Sequence, residues 1–178
     1  MAVYVIADTH FGHNNIVSVY SRQHFNGIDD HDAVIADNIL SLCGSRDTLY
    51  LLGDVCVHRD SFHYVEEIAK AVENLYIVLG NHDFERSKAP KLMDYIALQE
   101  YTHLQLLGMR KYKQAWLTHA PMHPDELRGR LNIHGHMHDV EINDERYVNV
   151  SCECVDYKPR NIESIFEQKK HLLWQADS

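Results

Sequence analysis

Apolar residues divide this chain into a first half that alternates between strand and helix patterns and a second half with mostly strand patterns. In the first half, short continuous apolar runs predict buried strands, and apolar residues at helical spacing predict helices. The predicted strands are 2–7, 49–52 and 75–79, and the predicted helices are 14–20, 31–42, 61–73 and 89–98. In the helix at 61–73, Val65, Ile68, Ala69 and Val72 are expected to share one face.

The second half contributes the remaining predicted elements. Its predicted strands are 102–109, 112–118, 131–135 and 146–154, and its predicted helix is 161–170. Asp29 or Asp30 is expected to cap the helix at 31–42, and Pro90 is expected to stand near the start of the helix at 89–98. This order of elements predicts an α/β (α+β) protein in which helical layers flank packed sheets.

The composition limits the class of protein. A chain of 178 residues with 45 % hydrophobic residues is expected to form one domain with one core. Its longest apolar runs are too short to cross a membrane, and residues 2–6 are expected to be a strand and not a signal peptide. A cytoplasmic protein is therefore expected. In that compartment the four cysteines should be reduced, with Cys152 and Cys154 on one face of a strand.

Charge and histidine content point away from duplex binding and towards metal chemistry. The formal net charge of −9 disfavours extended binding of duplex nucleic acid, although two divalent cations would reverse the local sign at an active site. The chain contains 14 histidines, several of which stand beside carboxylates and glycines. No membrane partner is expected, and no apolar stripe remains that would predict an oligomer.

Metal-ligand residues recur where predicted strands end, which is where open α/β sheets place their sites. The stretches are Asp8-Thr9-His10, Gly53-Asp54, Gly80-Asn81-His82-Asp83, Thr118-His119 and His134-Gly135-His136-Met137-His138. Asp8 and His10 would face the same side of a strand end and grip one ion. Asp54 could cap a helix or bridge two metals about 3.5–4 Å apart. Each stretch alone could be an ordinary polar turn or a surface histidine tract, but all five in this order are not expected by chance.

This order of motifs resembles the calcineurin-like metallophosphoesterase superfamily. The likeness is greatest to its small single-domain bacterial and bacteriophage branch. It rests also on the opening Ile6-Ala7-Asp8-Thr9-His10-Phe11-Gly12-His13-Asn14 and on the ending Asn149-Val150-Ser151 with Tyr157-Lys158-Pro159. The resemblance implies one domain over 1–178 without a cap domain. It also implies a four-layer α-β-β-α sandwich of two mixed sheets flanked by helices.

Carried over residue by residue, the resemblance implies two divalent metal ions that share one carboxylate. The implied ligands are Asp8, His10 and His138 for one ion, Asn81, His119 and His136 for the other, and Asp54 for both. His82 would protonate the leaving oxygen or stabilise charge, and Asp83 would orient it. His134 does not match a ligand position and is expected to pack beside the site. After Gly53-Asp54 the chain departs from many relatives, which leaves open whether His58 or Arg59 contacts the substrate.

The expected mechanism follows from this ligand set. Two cations would bind the phosphoryl oxygens, and a bridging water or hydroxide would attack phosphorus in line. His82 would assist the departing alkoxide as a general acid. Nitrogen and oxygen ligands without a thiolate suit Mn²⁺, Fe, Zn²⁺ or Ni²⁺ better than an all-oxygen Mg²⁺ site, and manganese is the expected metal.

The substrate is predicted from the room around the motifs. Asn81 follows Asp54 by 27 positions and His119 follows Asn81 by 38, which leaves no space for a capping domain. An open site suits small nucleotide-like or cyclic phosphodiesters. The candidate phosphate contacts are His13 and Arg59, with Arg22, Arg86, Arg128 and Arg130 as further candidates, and the aromatic residues that could stack a base or pack are Tyr20, Phe25 and Tyr157.

Several alternatives remain open at this point. The enzyme could be a metal-dependent nuclease, although repair nucleases of the superfamily usually carry further domains, or it could be a phosphomonoesterase. A metallo-β-lactamase-type hydrolase would need an early H-x-H-x-D-H motif, which this chain lacks. A non-catalytic scaffold of the same fold should have lost a ligand or the catalytic histidine, and this chain retains all of them.

Overall fold

Two mixed β-sheets, flanked by helices, form the fold. The computed structural model describes residues 1–84 and 87–173. The strands are β1 (Val3–Ile6), β2 (Thr48–Leu52), β3 (Asn74–Val78), β4 (His103–Leu107), β5 (Arg110–Tyr112), β6 (Ala115–Thr118), β7 (Leu131–His134), β8 (Tyr147–Asn149) and β9 (Arg160–Asn161). The first sheet has the order β4-β3-β2-β1-β9, and the second has the order β5-β6-β7-β8. The predicted fold class is confirmed.

The helices lie between and after these strands. They are α1 (Ile28–Leu42), α2 (Phe62–Ala71), α3 (Leu92–Ala97), α4 (Ile162–Gln168) and α5 (Lys170–Leu173). Short 3-10 turns cover Asn14–Ser18, Tyr20–Arg22, Arg59–Ser61, Leu98–Glu100, Pro124–Glu126 and Cys152–Val155. Within the described residues, no helix is long and apolar enough to cross a membrane.

The strand directions place most of the loops that carry chemistry at one edge. β1, β2, β3 and β4 are parallel, and so are β6, β7 and β8. The two sheets meet just after β1, where the Ala7 N–H donates to the Val150 carbonyl at 2.9 Å and the Cys152 N–H donates to the Ala7 carbonyl at 3.0 Å. The carboxyl ends of the two sets of parallel strands therefore come together beside Ala7.

Burial in the core agrees with the apolar patterns that predicted the strands and helices. Every residue of β2 is buried, as expected for a central strand covered on both faces. The predicted apolar face of α2 is also found, with Val65, Ile68 and Ala69 buried, while Val72 is buried just beyond the end of the helix. The four cysteines form no disulfide with one another.

Three predicted elements in the second half are wrong in detail. The predicted strand at 112–118 is an antiparallel hairpin of β5 and β6, whose register pairs Tyr112 with Ala115. The predicted strand at 146–154 ends at Asn149, and Cys152 and Cys154 lie in a 3-10 turn and not on one face of a strand. The predicted helix at 161–170 is divided between α4 and α5.

Helix starts in the first half also differ from the predictions. The predicted helix at 14–20 consists of two 3-10 turns. The N-cap of α1 is Gly27 and not an aspartate, because the helix begins at Ile28, before Asp29 and Asp30. Asp30 in the first turn accepts the Asn26 N–H at 2.9 Å. The third helix begins at Leu92, after Pro90, and Asp94 accepts the N–H of its N-cap Lys91 at 2.7 Å.

Candidate metal centre and active site

The predicted ligands lie on loops in which several non-glycine residues have a positive φ. Asp8 follows β1, Asp54 follows β2, Asn81 follows β3, His119 follows β6, and His136 and His138 follow β7. Of the seven predicted metal ligands, five have a positive φ: Asp8 (58°), His10 (50°), Asp54 (49°), His136 (68°) and His138 (49°). Left-handed backbone in non-glycine residues is costly and concentrates at functional sites. Five residues with this strained backbone are therefore gathered at the edge of the fold that carries the motifs.

Three of these side chains form a first cluster of ligand atoms. Asp8, His10 and His138 are buried, and each offers one ligand atom within 4.8 Å of the others. Asp8 Oδ1 and His10 Nε2 are 3.9 Å apart, and both are buried without a hydrogen-bond partner among the described residues. Buried polar atoms normally have hydrogen-bond partners, so two neighbouring buried atoms without one fit a binding site for a cation.

The other oxygen of Asp8 is held in place by residues that the sequence did not single out as a support. Asp8 Oδ2 accepts the Ser151 hydroxyl at 2.8 Å and the His136 backbone N–H at 2.8 Å. Because both bonds use Oδ2, Oδ1 is left for a metal. Ser151 lies 143 positions from Asp8, and only its place in the family-like ending of the chain pointed to it.

The protonation states of this cluster suit metal binding. Burial, followed by the charges of Arg22 and neighbouring histidines, lowers the pKa of His10 well below its usual value, so the ring is neutral and offers a lone pair. Burial raises the pKa of Asp8, while His119, His138 and the hydrogen bonds from Ser151 and His136 oppose that change. A cation in the cluster would favour the ionised carboxylate.

A second cluster lies beside the first. Asp54, His119 and His136 each offer one ligand atom within 4.8 Å of the others. His119 Nδ1 lies 2.9 Å from the Leu52 carbonyl, and with the ring proton on Nδ1 directed to that carbonyl, the lone pair of the imidazole is on Nε2. That Nε2 is 3.0 Å from Asn81 Oδ1 and 3.2 Å from His136 Nδ1. Three convergent donor atoms of this kind fit a second cation.

Asp54 lies between the two clusters. Its Oδ2 is 3.6 Å from His10 Nε2 in the first cluster and 3.5 Å from His119 Nε2 in the second. Its Oδ1 accepts the His82 backbone N–H at 2.7 Å. One carboxylate thus faces both groups of ligand atoms and also fixes the backbone of His82.

Glycines allow this crowding of side chains. A Cβ on Gly135 would lie 2.3 Å from Asp8 Oδ2, and a Cβ on Gly80 would lie 2.3 Å from Asp54 Oδ1. At Gly53, which has a φ of 85°, a Cβ would lie 2.3 Å from His119 Nδ1. Only glycine fits at these three positions, because any side chain would displace a candidate ligand.

The hydrogen bonds of Asp83 differ from the expectation that it would orient the His82 ring. Its carboxylate accepts three backbone N–H groups, from Asp54 at 3.0 Å, Val55 at 3.0 Å and Gly80 at 2.8 Å. Burial raises the pKa of Asp83 to about 6, although the hydrogen bonds from Gly80 and Val55 oppose the rise. These bonds make Asp83 a brace between the loops after β2 and β3.

Of the two predicted phosphate contacts, His13 adjoins the clusters. His13 Nδ1 lies 3.2 Å from His10 Nδ1, and its ring centroid is 6.0 Å from that of His82. Arg59 donates from Nη2 to Asp94 at 2.6 Å on the exposed surface, so its guanidinium already has a carboxylate partner. The loop after Gly53-Asp54 also brings in His58, which lines a cavity beside His13.

The further arginine candidates have other surroundings. Arg22 is completely buried and contacts protein groups, so the expectation that it binds substrate phosphate is wrong. Arg128 pairs with Glu126 at 3.3 Å, and Arg130 donates to the Arg128 carbonyl, on the loop after β6. Arg86 lies outside the described residues.

The three candidate stacking residues separate clearly. Phe25 and Tyr157 pack edge-to-face at a centroid distance of 4.9 Å, and Tyr157 is buried. Tyr20 is 45 % exposed, and its ring stacks on the His138 imidazole at 3.9 Å with an interplanar angle of 14°. Tyr20 is therefore the one of the three that borders the clusters with an exposed surface.

His134 is placed as a packing residue beside the site. Its side chain is fully buried, its Nδ1 lies 2.8 Å from the Gly135 carbonyl, and burial lowers the pKa of its ring. The two clusters of three do not include it.

A cavity of ≈ 680 Å³ lies at the opposite edge of the first sheet, beside Thr102 and His103, and contains neither cluster.

Comparison with known proteins agrees with this geometry. The family model described as calcineurin-like phosphoesterase matches residues 1–176. The chain belongs to the calcineurin-like phosphoesterase family. Membership confirms the sequence-based prediction of a metal-dependent phosphoesterase. The family binds a dinuclear metal centre, and this structure contains two candidate clusters of ligand atoms.

Relatives of this family member come from an archaeon, a bacteriophage and a bacterium. It is 25 % identical over 173 residues to the uncharacterized protein MJ1445 of Methanocaldococcus jannaschii, covering 92 % of this chain and 88 % of the relative. It is 26 % identical over 161 residues to the Gene 66 protein of Mycobacterium phage L5, covering 76 % and 77 %. The crystal structure of AQ665, a protein of unknown function from Aquifex aeolicus, matches with a TM-score of 0.67 and 28 % identity, covering 94 % of this chain and 98 % of that one.

Proposed function

We propose that this phosphoesterase is a dinuclear-metal-dependent phosphodiesterase that hydrolyses small nucleotide-like or cyclic phosphodiesters. The observation that carries the proposal is the position of Asp54, whose Oδ2 lies 3.6 Å from His10 Nε2 and 3.5 Å from His119 Nε2. A carboxylate shared between two groups of ligand atoms is what a two-metal hydrolase requires.

The proposed ligands divide between two ions, with Asp54 shared. They are Asp8, His10 and His138 for one ion and Asn81, His119 and His136 for the other. When bound, two divalent cations would neutralise the charge of the phosphate and make a water nucleophilic near neutral pH. Mixed nitrogen and oxygen donors suit manganese, iron, zinc or nickel, and of these we propose manganese.

His82 is the proposed general acid. Its ring centroid lies 5.6 Å from that of His10 and 6.0 Å from that of His13, and its backbone is fixed by Asp54 Oδ1. The ring is half-buried, so it stands beside the first cluster and remains accessible to a substrate. It would deliver a proton to the leaving oxygen of the ester. Asp83 would support it indirectly, by holding the loop from Gly80 onwards.

The surroundings of the clusters support a small substrate. A cavity of ≈ 500 Å³ adjoins the first cluster through His13, and it is lined by Gly12, His13, Asn14, Asn15, Val57, His58, Ser87 and Lys88. Its polar lining suits hydroxyl and phosphate groups, while the exposed ring of Tyr20 offers a surface for a base. We propose one domain without a cap domain, which leaves this side open. The net charge of −9 argues against the nuclease alternative.

The test measures how fast the metal-stripped full-length protein, after metal is added back, hydrolyses esters that differ in type and in leaving group. Mn²⁺ is added back, and hydrolysis of bis-p-nitrophenyl phosphate is measured against that of p-nitrophenyl phosphate. The expected result is metal-dependent turnover of the diester, which is abolished in Asp54→Asn. In His82→Ala, kcat should fall by about 10²–10⁴-fold for a diester with a simple alkoxide leaving group. The loss should be much smaller for p-nitrophenolate, which needs little protonation.

Other outcomes would overturn the proposal. Turnover of the monoester alone would make the protein a phosphomonoesterase. Two bound Mn²⁺ ions without turnover of either ester would favour the scaffold alternative. An equal loss for both leaving groups in His82→Ala, with metal binding intact, would remove His82 as the acid while leaving the metal centre in place.

A further inference from the structure

A buried arginine connects residues that flank the first cluster. Arg22, in the 3-10 turn Tyr20–Arg22, has a side chain that is 0 % exposed. Its Nε donates to Glu153 Oε1 at 2.6 Å, and its Nη2 donates to the Asp8 carbonyl oxygen at 2.6 Å. Its Nη1 lies 2.8 Å from His31 Nε2. One guanidinium therefore joins α1, the loop after β1 and the 3-10 turn that carries Glu153.

Glu153 contacts both Arg22 and a proposed metal ligand, His138. Its Oε1 accepts from Arg22 and also lies 3.0 Å from His138 Nδ1. The carboxylate is 1 % exposed. Because an ionised carboxylate can only accept, His138 must donate from Nδ1, and Nε2 is then the atom that carries the lone pair for a metal. Hydrogen bonding to the far nitrogen of a histidine ligand is a general way to orient the ring.

The same network also reaches the loop that carries His10. His31 Nδ1 lies 2.8 Å from Asp32 Oδ1, and Asp32 Oδ2 accepts the Gly12 N–H at 2.8 Å. The loop is thus held by its carbonyl at Asp8 and by its amide at Gly12. His10 lies between these two anchors.

We propose that Arg22 and Glu153 are positioning residues for the metal centre. They hold His138 in the Nδ1–H tautomer and fix the Asp8 backbone, so that the first cluster is arranged before an ion arrives. A buried ion pair is a poor device for packing alone, because apolar side chains of similar volume stabilise as well or better. In this protein the ion pair orients other groups, because its hydrogen bonds reach the ring of one proposed ligand, His138, and the main chain of another, Asp8. The inference rests on the proposed metal site.

The experiment is a two-site titration of metal-stripped full-length protein with Mn²⁺ by calorimetry. Glu153→Gln removes the charge and keeps the shape, and one of the two binding steps should weaken by about 10–100-fold while the other keeps its affinity. Arg22→Lys should weaken the same step, because an ammonium group cannot reproduce the planar fork. The control Asp144→Asn removes a carboxylate that pairs with Arg146, away from the clusters, and should change neither step.

If Glu153→Gln binds Mn²⁺ at both steps with the same affinity as the wild-type protein, the inference is overturned. An equal loss of affinity at both steps would also overturn it. A second measurement uses the wild-type protein and does not depend on the folding of a variant. Nitrogen-15 NMR of the histidine rings, in metal-free protein at a pH where the His138 ring is neutral, should give the Nδ1–H tautomer. The Nε2–H tautomer would overturn the inference. A protein with the Nδ1–H tautomer that binds no Mn²⁺ would instead contradict the proposed function.

Discussion

The Asp83 carboxylate accepts the backbone N–H of Asp54 at 3.0 Å, so the loop after β3 holds the proposed bridging ligand by its main chain. The same carboxylate accepts the N–H groups of Val55 and Gly80. The loops after β2 and β3 are therefore joined by a single buried side chain. This arrangement leads to the first prediction.

Asp83→Asn should destabilise the protein and weaken metal binding. An amide has one acceptor oxygen and adds two N–H donors, so it cannot satisfy the three backbone N–H groups. Leaving a buried donor unsatisfied should lower the free energy of unfolding by about 1–3 kcal/mol. Urea denaturation and Mn²⁺ titration measure the two effects. Asp37→Asn, at an exposed position of α1, is the control, and identical behaviour of the two variants would show that the brace is dispensable.

Gly135→Ala should disrupt the first cluster selectively. The new Cβ would lie 2.3 Å from Asp8 Oδ2 and 2.4 Å from the Ala7 Cβ, so Asp8 must move away from its present position. Mn²⁺ binding at one of the two sites should be lost, and phosphodiester hydrolysis with it. Gly108→Ala is the matched control, since no heavy atom lies within 4 Å of the Cβ that it would introduce. Normal metal binding by Gly135→Ala would place the first ion elsewhere.

Tyr20→Leu should raise KM for substrates that carry a base. The test compares a nucleoside p-nitrophenyl phosphodiester with methyl p-nitrophenyl phosphate, which share a leaving group. Stacking of a base on an aromatic ring is worth about 1–3 kcal/mol, so KM for the nucleoside diester should rise about 5- to 150-fold. Tyr20→Phe should retain the lower value. An equal change for both esters would mean that Tyr20 acts through the ring of His138, on which it stacks.

Asp47→Asn should reduce the sensitivity of the fold to acid. Asp47 accepts the Ala2 N–H at 2.6 Å and the Gly44 N–H at 3.0 Å, and these bonds lower its pKa in the folded protein. A depressed pKa contributes stability that is present above the unfolded pKa of about 3.9 and is lost as the pH falls through the lower folded value. Wild-type protein should exceed the variant in stability at pH 6, and the difference should shrink progressively as the pH falls below about 3.9. Denaturant titrations across this range measure it, and a constant difference would contradict the assignment.

Much of the proposed site could be predicted because each ligand follows a local pattern. Asp8, Asp54 and Asn81 come directly after apolar runs that form parallel strands, and parallel strands bring their carboxyl ends to one edge. The glycines at 53, 80 and 135 stand beside them because a Cβ would collide with a ligand. Such signals lie within a few residues of one another, so the sequence shows them without a fold.

Element boundaries were less predictable where local pattern and tertiary packing compete. The run 112–118 has strand character throughout, but Lys113 adopts a left-handed φ of 50° and turns the chain into a hairpin. Cys152 and Cys154 follow a strand pattern as well, yet the chain turns after Asn149. In both cases the apolar pattern gave the element type and the turn decided where it ends.

By itself the sequence determined most of the order of strands and helices, the candidate ligand residues and the family, because these depend on residue type and spacing. Only the tertiary structure decided which groups support the ligands. Ser151 reaches Asp8 across 143 positions, Glu153 reaches Arg22 across 131, and Asp83 binds the backbone of Asp54 across 29. Such contacts leave no periodic or local pattern, because a buried side chain takes its partners from whatever main chain and side chains the fold brings beside it.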